Sequence, residues 1–266
     1  MDTFQAIILG LVQGLTEFLP ISSSAHLGII AYIFKWEERL QLDIILHVAS
    51  LTALIIYFRK DLKKVLLGLI NKGSQKEIAN SRKFVVNVII SLLPLIPIYL
   101  LLKDWINSIQ DFSQTALIFL IIFGGFLIWA DLRSRNNKSG LEDLSKTQAL
   151  LIGLGQGIAL FSGVSRSGIT ITLALLIGLK EEAAKKYTFL LSIPTILGGF
   201  LLEMLDIVKG DLSISLDFSL LLAIISAFIS AYLALIILFK LGDKIKLSYY
   251  GIYRIIIGLA LLLFLF

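Results

Sequence analysis

Gln13-Gly-Leu-Thr-Glu17-Phe-Leu-Pro20-Ile-Ser22-Ser23-Ser24-Ala-His26 breaks an apolar stretch with a carboxylate, a proline, three hydroxyls and an imidazole. A second break, Phe161-Ser-Gly163-Val-Ser165-Arg166-Ser167-Gly168-Ile-Thr170, lies in the other half of the chain. The two segments align at an offset of 143 residues, with identities at Ala6/Ala149, Gly10/Gly153, Leu11/Leu154, Gln13/Gln156, Gly14/Gly157, Phe18/Phe161, Ser22/Ser165 and Ser24/Ser167. An internal repeat decides the architecture before any single helix is placed.

The apolar flanks of each break, 7–19 with 27–34 and 150–161 with 169–179, are too short to cross a bilayer, which takes about 20 residues. Two short halves around a polar turn predict a re-entrant helix–loop–helix. Irregular backbone at membrane depth is tolerated where protein or a polar cavity surrounds it. The other apolar segments read as full spans near 42–58, 84–102, 113–131, 187–205, 218–239 and 249–266. The expected fold is therefore an all-α polytopic membrane protein of about ten helices, with two inverted-topology repeats and six full spans. It forms one integral membrane domain over 1–266, with repeats at about 1–131 and 147–266 and a linker at 132–146.

Composition agrees. Of 266 residues, 57% are hydrophobic and 16% charged, and mean hydropathy is +0.90; soluble domains carry about 25% charged residues. Cysteine is absent, which excludes disulfide and thiol chemistry. No basic region precedes the first apolar stretch, so no cleavable signal peptide is expected. The net charge of +5 does not indicate a nucleic-acid partner, because the basic residues fall in short loops between apolar segments.

Those loop charges orient the chain. With 59–83, 132–146, 180–186 and 240–246 in the cytoplasm, the inside loops hold eighteen of the 24 Lys and Arg, and the outside loops hold Lys35, Arg39, Lys103 and Lys209. This is a strong positive-inside bias. Three spans separate the two breaks, so the first re-entrant pair enters from outside and the second from the cytoplasm. Their tips can then meet near the midplane, where inverted repeats commonly build their sites.

Gln13 and Glu17 are four residues apart and share a helix face. Pro20 ends that half-helix, and Ser22, Ser23 and Ser24 begin the next, with His26 one turn on. In the second break Gly163 permits close backbone approach, and Ser165, Ser167 and Thr170 surround another helix start. Helix N-termini bind anions, and Arg166 adds a planar fork suited to phosphate oxygens. A charge inside a membrane needs a partner; for Arg166 that partner is Glu17 or a phosphate. His47 is a candidate lining residue of the same cavity, whereas Tyr253 and Arg254 read as structural. Metal-ligand spacing is poor, although Mg2+ or Ca2+ could bind through Glu17 and substrate phosphates.

These two motifs, together with Asp43-Ile-Ile-Leu-His47 and Tyr253-Arg254, resemble the undecaprenyl-pyrophosphate phosphatase family, the bacitracin-resistance proteins. The resemblance runs along the whole chain. It implies hydrolysis of a C55 polyprenyl pyrophosphate to undecaprenyl phosphate and inorganic phosphate, which recycles the carrier lipid for cell-wall synthesis. It also implies interdigitated inverted repeats in the bacterial cytoplasmic membrane, with a site open to the outer face. By resemblance Glu17, Ser23, His26 and Arg166 match catalytic positions, and Ser22, Ser24, Ser165, Ser167 and Thr170 match phosphate-cradling ones, with Gln13 and Gly163 beside them. Two departures stand out. Gln13 replaces a Glu found in many members, which weakens a metal role there, and Ser162-Gly163 replaces Pro-Gly. The expected partners are the polyprenyl pyrophosphate lipid and the bilayer. The oligomeric state is open, a homodimer included, and no cofactor other than a divalent cation is expected. The nucleophile is open between Ser23, His26 and water. The rival class is a transporter or flippase for a phosphorylated polyprenyl lipid, since broken helices in inverted repeats also suit transport.

Overall fold

The computed structural model describes residues 2–36, 40–109, 113–208, 217–241 and 245–265. Arg39, Lys209 and Lys244, counted among the loop charges, lie outside the described residues. Among the described residues the chain is helical throughout: α1 (Thr3–Phe18), α2 (Ser23–Phe34), α3 (Leu40–Tyr57), α4 (Arg59–Leu69), α5 (Gln75–Leu92), α6 (Leu95–Ser108), α7 (Gln114–Arg133), α8 (Lys146–Ile158), α9 (Arg166–Leu176), α10 (Glu181–Val208), α11 (Phe218–Lys240) and α12 (Leu247–Leu265). Four described segments are long and apolar enough to cross a membrane: Gln75–Ile106, Gln114–Asn136, Phe218–Lys240 and Leu247–Leu265. This is the pattern of a multi-pass membrane protein.

Two differences from the expected helices have simple causes. The basic stretch 59–83 is not a plain loop. It folds into α4 and, after Ser74 and Glu77 close a capping box, the first turns of α5. The apolar stretch 84–102 is divided between α5 and α6 at Pro94, which has no N–H to give and crowds the preceding turn.

The two short helix pairs, α1 with α2 and α8 with α9, each lean on a helix from the opposite half of the sequence. Helix α1 packs on α11 through Gly10 and Gly14, where an added Cβ would lie 2.0 Å from the hydroxyls of Ser226 and Ser230. Small residues four apart allow this backbone approach, which drives helix association in lipid. Helix α8 packs on α5 through Gly153, the repeat counterpart of Gly10, where a Cβ would come within 2.4 Å of the Ser91 carbonyl oxygen. Polar side chains stitch the same seams: Ser230 Oγ donates to Gly10 O at 3.3 Å, and Ser91 Oγ to Ala149 O at 2.7 Å. The largest apolar core mixes both halves, from Phe18 and Leu54 to Tyr187, Phe189 and Leu238. The polar turns of the two pairs are thereby brought face to face.

Candidate active site

Helix α1 stops at Phe18 because Leu19 turns extended and Pro20 follows. Helix α8 stops at Ile158, and after Gly163, at φ +88°, α9 restarts at Arg166. Gly163 is required sterically, since a Cβ there would sit 2.0 Å from the Ala116 carbonyl oxygen. The residues that cap the restarting helices are Ser22 and Ser165, the matched serines of the repeat. Both hold positive φ, 75° and 70°, a conformation that disfavours any residue with a Cβ. Strain repeated at equivalent positions marks a backbone held by its surroundings.

The caps differ in one respect. Ser165 Oγ accepts from Gly168 N at 3.1 Å, but Ser22 makes no side-chain cap, so the first N–H groups of α2 are left without a serine partner. Ser22 Oγ instead lies 3.3 Å from Ser24 Oγ, which accepts from Ser162 Oγ of the second turn at 3.2 Å.

Glu17 is the hub. Its residue is 7% exposed. One oxygen, Oε1, takes the Arg166 guanidinium from the opposite turn. The other, Oε2, accepts from Ser23 Oγ at 2.7 Å and from Gln13 Nε2 at 3.1 Å, and His47 Nε2 lies 3.4 Å away. A carboxylate so buried needs compensating partners, and this cluster of donors with the Arg166 guanidinium supplies them. Gln13, Glu17, Ser23, His47 and Arg166 thus meet in direct contact.

The remaining predicted residues have their hydrogen bonds elsewhere than Glu17. His26 Nδ1 is 2.7 Å from Ser22 O, and its Nε2 is 2.8 Å from the Tyr253 hydroxyl. Ser165 and Ser167 are 3.3 Å apart, and Ser167 Oγ donates to Leu19 O at 3.2 Å. Thr170 turns its hydroxyl back onto Arg166 O at 2.7 Å, so it braces α9. Gly163 offers its carbonyl to Arg254.

Two residues of α12 have larger parts than their sequence context suggested. Arg254 is fully buried and donates to Gly163 O at 2.8 Å, Val164 O at 2.9 Å, Leu120 O at 3.2 Å and Pro20 O at 3.4 Å. It ties both turns to α7. Tyr253 stacks on His26 with ring centroids 5.6 Å apart. A charge in an apolar terminal span was the available signal for Arg254, but nothing in the local sequence of Tyr253 pointed to His26.

No group of three His, Cys, Asp or Glu stands together among the described residues. The amide oxygen of Gln13 is buried without a hydrogen-bond partner, and the Gln13 amide is bonded to Glu17, so the two residues offer adjacent oxygens to a cation. A buried carboxylate, a hydroxyl bonded to it, a facing guanidinium and an uncapped helix start form a site suited to an anionic group and to its transfer.

Comparison with known proteins gives the same direction. Residues 6–260 match the family model of the bacitracin resistance protein BacA. An undecaprenyl-diphosphatase of Alteromonas mediterranea is 39% identical over 270 residues, covering 100% of both chains. One of Alcanivorax borkumensis is 37% identical over 267 residues, again covering both chains fully. The chain belongs to the bacitracin resistance protein BacA family.

Proposed function

We propose that this protein hydrolyses undecaprenyl pyrophosphate to undecaprenyl phosphate and inorganic phosphate, and so returns the carrier lipid to cell-wall synthesis. The observation that carries this reading is the Glu17 carboxylate, joined on one side to Ser23 and on the other to Arg166 across the two turns.

Ser23 Oγ is the nucleophile. It attacks the terminal phosphorus while its proton passes to Glu17 Oε2, to which it is already bonded. The bridging P–O bond breaks, undecaprenyl phosphate departs, and the phosphoryl group stays on Ser23. Water then cleaves the phosphoserine and releases inorganic phosphate. Arg166 and the free N–H groups of α2 stabilise the charge on the phosphoryl oxygens, the main lever in such transfers. Ser22, Ser24, Ser165, Ser167 and the Gly163 turn shape the cradle. Where a Mg2+ or Ca2+ takes part, Glu17 and the Gln13 amide oxygen would hold it together with phosphate oxygens, and it would neutralise phosphate charge.

Around this site the chain forms one membrane domain of two inverted repeats, about 1–131 and 147–266. The pairs α1–α2 and α8–α9 are re-entrant, and six further segments span the membrane. The cross-packing of α1 on α11 and α8 on α5 supports this interdigitation. The loop charges support 59–83 lying inside, and the family resemblance supports a site open to the outer face of the bacterial cytoplasmic membrane.

The test is phosphate release from polyprenyl pyrophosphate by purified protein in detergent, with and without chelator. Release without a membrane or gradient supports hydrolysis. Lipid movement across vesicles with no phosphate release would favour the flippase reading instead. Activity lost on chelation and restored by Mg2+ would show that a divalent cation takes part.

A further inference from the structure

His26 and Tyr253 are 227 residues apart in sequence, yet they form an imidazole–phenol pair at the edge of this site. The pairing constrains the imidazole chemically. A carbonyl oxygen can only accept, so Nδ1, 2.7 Å from Ser22 O, carries a proton. A neutral imidazole has one N–H, which leaves Nε2 bare and makes the Tyr253 hydroxyl its donor at 2.8 Å. In the protonated ring Nε2–H would donate to the phenol oxygen instead. In both states Nε2 is engaged by Tyr253, whereas Ser23 Oγ is bonded to Glu17.

The phenol is itself held in place. Its ring lies nearly parallel to the imidazole, at 12°. The next residue, Arg254, is locked to carbonyls of three separate segments. The orientation of His26 is therefore set from two sides, by the Ser22 carbonyl of its own turn and by a hydroxyl from α12.

We propose that Tyr253 is a positioning residue for the reaction: its hydroxyl fixes Nε2 of His26, orients the imidazole beside the phosphate cradle, and leaves Glu17 as the acceptor of the Ser23 proton. The proposal rests on the reading of Ser23 and Glu17 given above and on the family resemblance that puts His26 at a catalytic position. Tyr253 is 39% exposed, so its removal opens no large core cavity.

Tyr253→Phe keeps the ring and removes only the hydroxyl. The loss of one neutral hydrogen bond predicts a kcat lowered about fivefold to tenfold, with KM little changed. In a His26→Gln background the same substitution should cost nothing further, because Tyr253 acts through His26. Histidine-selective 15N NMR of the full-length protein in detergent gives a readout that a merely structural role would not move. The chain has two histidines, so His47→Gln identifies the His26 signals. Wild-type protein should show His26 as the Nδ1–H form, and Tyr253→Phe should move the Nε2 signal alone.

Wild-type kcat in Tyr253→Phe would overturn the proposal. So would an equal loss in the His26→Gln background, or an Nε2 signal unmoved by the substitution. If His26→Gln itself keeps full activity, the catalytic reading of His26 fails, a separate outcome from an NMR result that finds the pair absent. Tyr253→Leu, which loses ring and hydroxyl together, separates stacking from hydrogen bonding: the proposal requires Phe and Leu variants to share the kcat loss, and a loss confined to Leu overturns it.

Discussion

The two polar turns share a backbone and divide their chemistry. Each ends a short helix, turns through a serine at positive φ and starts another helix. At matched positions, however, Glu17 stands opposite Leu160, Ser23 opposite Arg166 and His26 opposite Ile169. The first turn carries the carboxylate, hydroxyl and imidazole, and the second carries the cation. The capping pattern divides in the same way: Ser165 spends its hydroxyl on its own helix, whereas Ser22 leaves the start of α2 open. A duplicated scaffold can thus hold one site rather than two, with each copy free to lose what the other retains.

The most severe way to break this division is to remove the cation. Arg166→Ala should lower kcat/KM by roughly 10³-fold or more in the phosphate-release assay, as for other guanidinium groups that stabilise phosphoryl transfer. Arg166→Lys should recover little, since a point charge cannot replace the fork. Near-normal hydrolysis in either variant would sever the link between the two turns. Next in size is the proton acceptor. Glu17→Gln keeps the shape but lowers kcat by about 100-fold, and it also leaves Arg166 without its carboxylate. Activity unchanged by that substitution would shift the base to another group. Ser23→Ala should abolish any 32P-labelled protein intermediate, and labelling that persists would move the nucleophile elsewhere.

The smallest effect tests the backbones against each other. Ser22→Gly removes the positive-φ penalty at no cost in capping and should stabilise the protein by about 1 kcal/mol. Ser165→Gly relieves similar strain but gives up a cap worth about 1 kcal/mol, so its melting temperature should stay near wild type. Equal shifts in a thermal melt in detergent would show that the caps do not differ.

Much of this was legible in the sequence because the repeat compares the chain with itself. Shared Gly, Gln, Phe and Ser positions located both turns, and the i, i+4 spacing put Gln13 and Glu17 on one face, as their 3.1 Å contact bears out. The expense of a lone charge in lipid called for a partner to Arg166, Glu17 or a phosphate, and the contact with Glu17 selects the first. What escaped was set by tertiary contact. The capping box at Ser74 and the amphipathic run of α4 were hidden by the density of lysines, which reads equally well as a loop. Pro94 within an apolar run was read as part of a continuous span, although it divides two helices. Tyr253 was read as structural, because its partner lies at the other end of the sequence.

Arg254 carries one more consequence, for how the protein is made. Its guanidinium joins Pro20, from the start of the chain, to Gly163 and Val164 from the middle. Yet it resides in α12, which leaves the ribosome after every other described helix. The two turns can be inserted early, but their registration waits for that last helix to arrive. The active centre is therefore completed at the end of biosynthesis, and a nascent chain halted before α12 should carry the motifs without holding them together.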